Sequence, residues 1–312
     1  MSTLLLVVPP HWLKVWTGPL AEIAPLLNVR AHGRDDFDSR DIDYVLTFRP
    51  PHGVLKSLPH LKLTFSLGAG VDGILADPDY PKHVPLVRFV DHTLSREMAQ
   101  YCVLHVLMHY RMQRFFDHAQ AERKWRQALL PNRAEDTRVG ILGLGEIGTL
   151  AAERLRNLHF TVAGWSRTRR NVPGIESFAG DNELPAFLAR TDILICLLPL
   201  TPDTREILNA TLFAQLPLGA FVINVARGGH LVEADLIAAM DSGHLSGATL
   251  DVFNIEPLPE DSPLWSHPKI TVTPHIAAIS EPRVAAQYVA DGIARFERGE
   301  PLSNIVDPAR GY

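Results

Sequence analysis

With 312 residues, 46% of them apolar and 21% charged, the chain has the composition of an ordinary soluble globular protein, long enough for two hydrophobic cores. A formal net charge of -5 and the lack of a long basic block argue against a nucleic-acid partner, and no stretch approaches the roughly 18 apolar residues that cross a membrane. The two cysteines, Cys102 and Cys196, sit in apolar runs and read as buried thiols in a reducing, cytoplasmic setting, so neither a disulfide nor a metal site is expected.

The first residues are apolar but lack the basic start and longer run of a signal peptide, and are expected to form a short strand. Residues 44–48 read as a second strand, ended by Pro50-Pro51. Residues 61–67 alternate like a strand and meet Gly68-Ala69-Gly70, and residues 87–90 read as an edge strand. Strands separated by helical stretches argue for a parallel sheet with crossover helices. Ser95 is expected to cap a long helix carrying Met98, Cys102 and Val106 on one face. The chain then turns polar from Arg111 to Arg126, and a new unit begins near Thr137.

Six buried strands are expected next, at 138–142, 160–165, 192–198, 220–225, 248–252 and 270–273, with helical patterns between several of them, notably 233–240. Six such strands suggest one doubly wound domain. A final helix over 284–298 is long enough to return to the first domain. The expected organisation is α/β with two domains: residues 1–97 and 281–312 form one, and residues 98–280 are inserted into it.

Gly143-Leu144-Gly145-Glu146-Ile147-Gly148 follows an expected strand and opens an expected helix. In that setting the glycines make a tight turn, let backbone approach a pyrophosphate and let helix and strand pack closely, while the helix start presents N–H groups to the phosphates. This is the dinucleotide-binding pattern of a Rossmann domain. After the next strand, an NAD-specific protein would place an acid for the ribose 2′-hydroxyl. Here the chain reads Ser166-Arg167-Thr168-Arg169-Arg170, two hydroxyls and three guanidiniums suited to a 2′-phosphate. NADPH is therefore expected, with NADH as the weaker alternative.

Three more segments follow strand ends, where open α/β sheets bind ligands. They carry Arg227, Glu256 and His275. Reduction of a keto acid needs a cation for the carboxylate and carbonyl, and a proton donor for the developing alkoxide. Arg suits the first by its fork geometry, and His the second because it titrates near working pH. A carboxylate such as Glu256 would orient the ring and favour its charged form. Phe48 and Arg49 also follow a strand and are candidates to meet a substrate's tail.

The motifs at 143–148, 198–204, 224–228, 250–259 and 273–278 occur together in one order, and by them the chain resembles the D-isomer-specific 2-hydroxyacid dehydrogenases over nearly its whole length. Phe178-Ala179-Gly180, Pro263-Leu264-Trp265 and Ala309-Arg310-Gly311-Tyr312 point to a subgroup acting on glyoxylate and hydroxypyruvate. The resemblance implies a flavodoxin-like substrate domain around the Rossmann domain, Arg227 as the substrate-binding cation, His275 as acid/base and Glu256 as its orienting partner. It implies that backbone N–H groups of Ala69 and Gly70 hold the substrate carboxylate. Pro199, Thr204 and Asp251 would line the nicotinamide, with Leu198, Val225 and Ala226 of the same motifs in the cofactor site. The stretch around Lys124-Trp125-Arg126-Gln127 would belong to a homodimer arm. Met98-Ala99-Gln100 departs from the Val-Ala-Glu run common in relatives. A nucleotide-sensing binding protein on the same scaffold, or a dehydrogenase of formate, phosphite or 3-phosphoglycerate, remains the alternative.

Overall fold

A computed structural model describes residues 2–307, so the Ala309-Arg310-Gly311-Tyr312 motif lies outside the described residues. The chain divides into two compact units: residues up to Leu94 together with those from Ser280 onward, and Ser95–Ile279. The sequence pattern sets the changes at 97/98 and 280/281.

The first unit contains β1 (Thr3–Val7), α1 (Leu13–Ile23), β2 (Asn28–Ala31), β3 (Tyr44–Thr47), β4 (Leu63–Ser66), α2 (Asp72–Leu75) and β5 (Leu86–Val87). Its strands pair in parallel in the order β2-β1-β3-β4-β5, the flavodoxin-like arrangement. β1, β3 and β4 are buried along their whole length, and so read as continuous runs. β2 was not expected: Asn28-Val29-Arg30-Ala31 forms an edge strand with only Ala31 buried, too polar and short to stand out.

α3 (His92–Tyr110) spans the division at 94/95. It begins three residues before Ser95, and its first amides, those of Thr93 and Leu94, donate to Asp91 rather than to the expected serine cap. Instead the Ser95 hydroxyl donates to Glu146 at 3.2 Å. α4 (Gln113–Ala121) occupies the polar stretch that follows.

The second unit continues with β6 (Arg138–Leu142), α5 (Glu146–Asn157), β7 (Thr161–Ser166), β8 (Glu176–Ala179), α6 (Gly180–Ala189), β9 (Ile193–Cys196), α7 (Ala210–Phe213), β10 (Ala220–Asn224), α8 (Glu233–Asp241), β11 (Leu245–Leu250) and β12 (Ile270–Val272). The sheet is parallel throughout, in the order β12-β11-β10-β9-β6-β7-β8. Seven strands replace the six expected. The additional one, β8, has no buried residue, and its Glu-Ser-Phe-Ala sequence carries no apolar run. The chain reverses its progress across the sheet between β6 and β9, which creates the crevice where doubly wound folds bind ligands. α9 (Pro282–Glu297) returns to the first unit, capped by Glu281 on the amide of Val284 two residues into the helix. There its Arg283 pairs with Glu22 of α1 at 2.6 Å.

Tyr101, His105 and His109 lie four residues apart on α3, facing the second sheet. His109 stacks on Phe221 with ring centroids 4.0 Å apart, and His105 lies 4.1 Å from Tyr101 and 3.4 Å from the Thr249 hydroxyl. Burial pushes both imidazoles down to about 4, and pushes the thiols of the buried Cys102 and Cys196 up to about 12. An unfolded histidine titrates near 6.5, so between about pH 6.5 and 4 the unfolded chain binds protons that the folded chain refuses. The stability linked to His105 is complete above that window and is lost as pH falls through it, on the order of 3 kcal/mol at most. The melting temperature of the wild type should drop more steeply from pH 6.5 to 4 than that of His105→Leu. Parallel curves would show that His105 titrates normally in the folded chain.

Candidate active site

One row of paired residues runs across all seven strands of the second sheet: Phe178, Trp165, Leu142, Cys196, Asn224, Leu250 and Val272. Each expected site segment of this unit leaves the sheet just beyond that row, so all of them emerge at the same carboxyl edge. Between the strand of the glycine turn, β6, and β12 lie four strand spacings, roughly 19 Å. A ligand anchored at the turn and reacting near His275 must be extended.

Gly143 leaves β6 at φ 106°, a conformation open to glycine, and a Cβ there would also stand 2.8 Å from the Leu197 carbonyl oxygen. At Gly148 a Cβ would fall 1.9 Å from the carbonyl oxygen of Gly143, so the helix can pack on the turn only without a side chain. At Gly145 a Cβ would meet nothing within 4 Å. Open space therefore lies over the first amides of the twelve-residue helix α5, as a pyrophosphate requires. Leu144 is buried in the core, against Gly164 of β7, and could meet a cofactor only through its backbone. Glu146 accepts from Ser95, and Ile147 is half-buried.

Ser166 ends β7, and Arg167, Thr168, Arg169 and Arg170 are exposed. The Ser166 hydroxyl donates to the Thr168 carbonyl at 2.8 Å, and the Arg170 amide to the Ser177 hydroxyl at 3.3 Å. Arg169 is turned the other way, pairing with Glu183 and donating to the Ser177 carbonyl. Glu183 also accepts from the Ala179 amide at 2.7 Å. Arg169 thus braces the loop against β8 and α6.

The segment after β10 carries Arg227, half-buried, with a guanidinium N–H on the Ala226 carbonyl at 2.7 Å. The next residue is held by a steric constraint. A Cβ on Gly228 would lie 1.9 Å from the carbonyl carbon of Phe253 and 2.4 Å from the Asn254 nitrogen. The exits of β10 and β11 therefore touch backbone to backbone beside Arg227, on the way to Glu256. Two residues that the sequence did not single out hold the Arg227 carbonyl: Asn224 donates from its side chain at 3.0 Å, and the buried His230 places Nδ1 at 3.1 Å. Asn224 carried a visible signal, a polar residue closing an apolar strand. Pro199 and Thr204 follow β9, where the Thr204 hydroxyl donates to the Pro199 carbonyl at 2.7 Å. Leu198, Val225 and Ala226 are buried beside these turns.

His275 sits in the left-handed region at φ 55°, which costs a non-glycine residue roughly 1–2 kcal/mol. Asp251, buried at the end of β11, holds it there. Its carboxylate accepts from the Thr273 hydroxyl at 2.6 Å, the Ile276 amide at 2.9 Å and the Ala277 amide at 3.0 Å, and its carbonyl takes the His275 amide at 2.8 Å. Tyr101 reaches the same Thr273 hydroxyl from α3. So presented, His275 sets Nδ1 2.9 Å from Glu256, whose other oxygen accepts from the Phe253 amide at 3.0 Å. The arrangement fixes a partly exposed imidazole against a carboxylate, which suits proton transfer at its other nitrogen.

In the first unit, Phe48 and Arg49 follow β3, and Ala69 and Gly70 follow the neighbouring β4. The Phe48 ring lies 3.6 Å from where a Cβ on Gly68 would stand, and the Arg49 guanidinium sits 5.4 Å over that ring. The Ser66 hydroxyl braces the turn, donating to the Gly70 carbonyl and accepting from the Gly68 amide, each at 3.3 Å. Among the described residues, no group of three or more histidine, cysteine or acidic side chains could hold a metal ion, and no helix is long and apolar enough to cross a membrane.

The family described as D-isomer specific 2-hydroxyacid dehydrogenase, NAD binding domain, matches residues 103–277. A glyoxylate/hydroxypyruvate reductase A of Yersinia enterocolitica serotype O:8 / biotype 1B is 44% identical over 304 residues, 96% of each chain. A D-isomer specific 2-hydroxyacid dehydrogenase of Xanthobacter autotrophicus Py2, solved with NADPH and MES, superposes with a TM-score of 0.92 at 44% identity, over 100% of this chain and 99% of that one. An NADPH-dependent glyoxylate/hydroxypyruvate reductase of Sinorhizobium meliloti, solved with NADP and sulfate, gives a TM-score of 0.92 at 41% identity over 100% of both chains. With its glycine turn, its paired histidine and glutamate and these relatives, the chain belongs to the D-isomer specific 2-hydroxyacid dehydrogenase family.

Proposed function

We propose that the chain is an NADPH-dependent reductase of small 2-keto acids, converting glyoxylate to glycolate and hydroxypyruvate to D-glycerate. The observation that carries the reaction type is the 2.9 Å pair of His275 with Glu256, presented at the sheet edge that also bears Arg227 and the glycine turn. The choice of substrates is supported by the relatives named for these two acids. The choice of cofactor is supported by their NADP complexes and by the arginine-rich loop, without an acid, after β7.

Bound NADPH would supply the hydride that reaches C2 of the keto acid. Arg227 pairs with the substrate's carboxylate and polarises the C2 carbonyl, for which a planar, two-pronged cation is suited. Glu256 holds the Nδ1 proton of His275 and fixes the ring. The proton from Nε2 goes to the C2 oxygen as negative charge develops there, leaving His275 neutral and the product a 2-hydroxy acid. Residues 98–280 serve as the dinucleotide-binding domain, and residues 1–97 with 281–312 as the substrate domain. In the latter, the amides of Ala69 and Gly70 hold the carboxylate, with Phe48 and Arg49 toward the substrate's far end. The cofactor takes the amides of 143–148, the loop at 166–170, and the turns carrying Leu198, Pro199, Thr204, Val225, Ala226 and Asp251. The enzyme works in the cytoplasm as a homodimer, an assembly supported by Trp125 and Leu129, which are 92% and 93% exposed in the single chain.

Mixed with glyoxylate or hydroxypyruvate, the purified chain should consume NADPH, read as loss of its absorbance, faster than NADH. Binding of NADPH without turnover on either acid would point instead to a nucleotide sensor. Arg167→Ala should raise the KM for NADPH far more than that for NADH; equal effects would remove Arg167 from the 2′-phosphate site. His275→Ala should lose about 10²–10⁴-fold in turnover. A variant with full activity would remove His275 from proton transfer.

A further inference from the structure

Behind Arg227 lies a histidine that the reaction itself does not use. His230 is fully buried in the second unit, and its ring spans two loops. Nδ1 lies 3.1 Å from the carbonyl oxygen of Arg227, and Nε2 lies 3.3 Å from the carbonyl oxygen of Pro199. The two loops are the exits of β10 and β9, the first bearing the substrate cation and the second the turn assigned to the nicotinamide. They are tied together elsewhere as well. The Leu208 amide donates to the His230 carbonyl at 2.8 Å, the Glu206 amide to the Gly229 carbonyl at 2.9 Å, and Leu208 bridges Leu231 in parallel. A Cβ on Gly229 would touch Leu200 at 3.0 Å. Thr204 donates to the same Pro199 carbonyl, and Asn224 to the same Arg227 carbonyl. The imidazole is thus a rigid spacer between two backbone oxygens, each also held by a second side chain.

We propose that His230 is a positioning residue that sets Arg227 at its working distance from the Pro199 turn. This rests on the reading of Arg227 as the substrate-binding cation. The ring is flat and of fixed size: either neutral tautomer donates to one of the two carbonyls, and the body of the ring keeps the second oxygen at a set separation from the first. Leucine fills comparable space but offers neither nitrogen, so the two loops would be coupled only by their backbone contacts. Glutamine keeps one donor on a flexible stem. Because misplacing a reacting group by about 1 Å can cost a hundredfold, the loss should appear in catalysis before it appears in folding.

The test is a double-mutant cycle on the purified enzyme, assayed with NADPH and glyoxylate. His230→Leu should lower kcat/KM for glyoxylate about 10- to 100-fold, with NADPH affinity, read by fluorescence titration, little changed. His230→Gln should recover part of the loss. On an Arg227→Lys background, His230→Leu should add little further loss, since the residue it positions is already impaired. If His230→Leu does not fold, the same cycle with His230→Gln decides the matter. Full activity in His230→Leu, or a loss that is the same on both backgrounds, would overturn the proposal. Full activity in Arg227→Lys alone would instead overturn the role of Arg227, and the proposal with it.

Discussion

The proposed reaction centre in the second unit depends on one steric fact: between the ends of β10 and β11 there is room for a backbone but not for a side chain. With glycine at 228, the loop bearing Arg227 lies against the peptide linking Phe253 and Asn254. That peptide leads to Glu256, and the Phe253 amide itself donates to the Glu256 carboxylate. The contact therefore fixes the cation's loop and the carboxylate's loop with respect to each other. A side-chain contact could relax through rotamers, but two touching peptides cannot, because protein interiors are close-packed and peptide units are planar.

The third member is presented by different means. His275 stands in a backbone conformation that a histidine does not choose, and Asp251 compensates with a carboxylate surrounded by two amides and a hydroxyl. Asp251 thus acts as a bracket for the turn. Together with Asn224 and His230 under Arg227, it belongs to a layer of buried polar groups behind the groups that would touch substrate. Strain at the functional residue, held by complete hydrogen bonding beneath it, is the usual form of preorganisation.

Most of the fold was legible because buried parallel strands are continuous apolar runs, and β1, β3, β4, β6, β9 and β10 all have that character. The two strands that escaped notice, β2 and β8, are edge strands whose polar residues face outward. The glycine turn and the segments carrying Arg227, Glu256 and His275 were legible as segments because they place particular residue types just after strand ends, where the structure has them. What sequence could not supply was the second tier. Nothing in a pattern distinguishes Arg169, which braces its loop on Glu183, from Arg167 and Arg170 beside it. Nor does spacing tell that His230 lies between two carbonyls while thirteen other histidines lie elsewhere. Such roles arise from which loops the sheet order brings together.

The discontinuity of the first unit has a consequence for synthesis. Its sheet is encoded in the opening part of the chain, but α9 follows the whole of the second unit; Gly292 of that helix lies so near Phe65 of β4 that a Cβ would come within 2.7 Å of the ring. The Val306 amide then donates to the Leu86 carbonyl, securing the edge at β5. On a ribosome adding about 5–20 residues per second, the early strands wait roughly 10–40 s for these closing pieces, while the continuous second unit can complete itself in the interval. Until then the nascent amino-terminal sheet has an uncovered apolar face, and that interval is where chaperone capture or misassembly would concentrate.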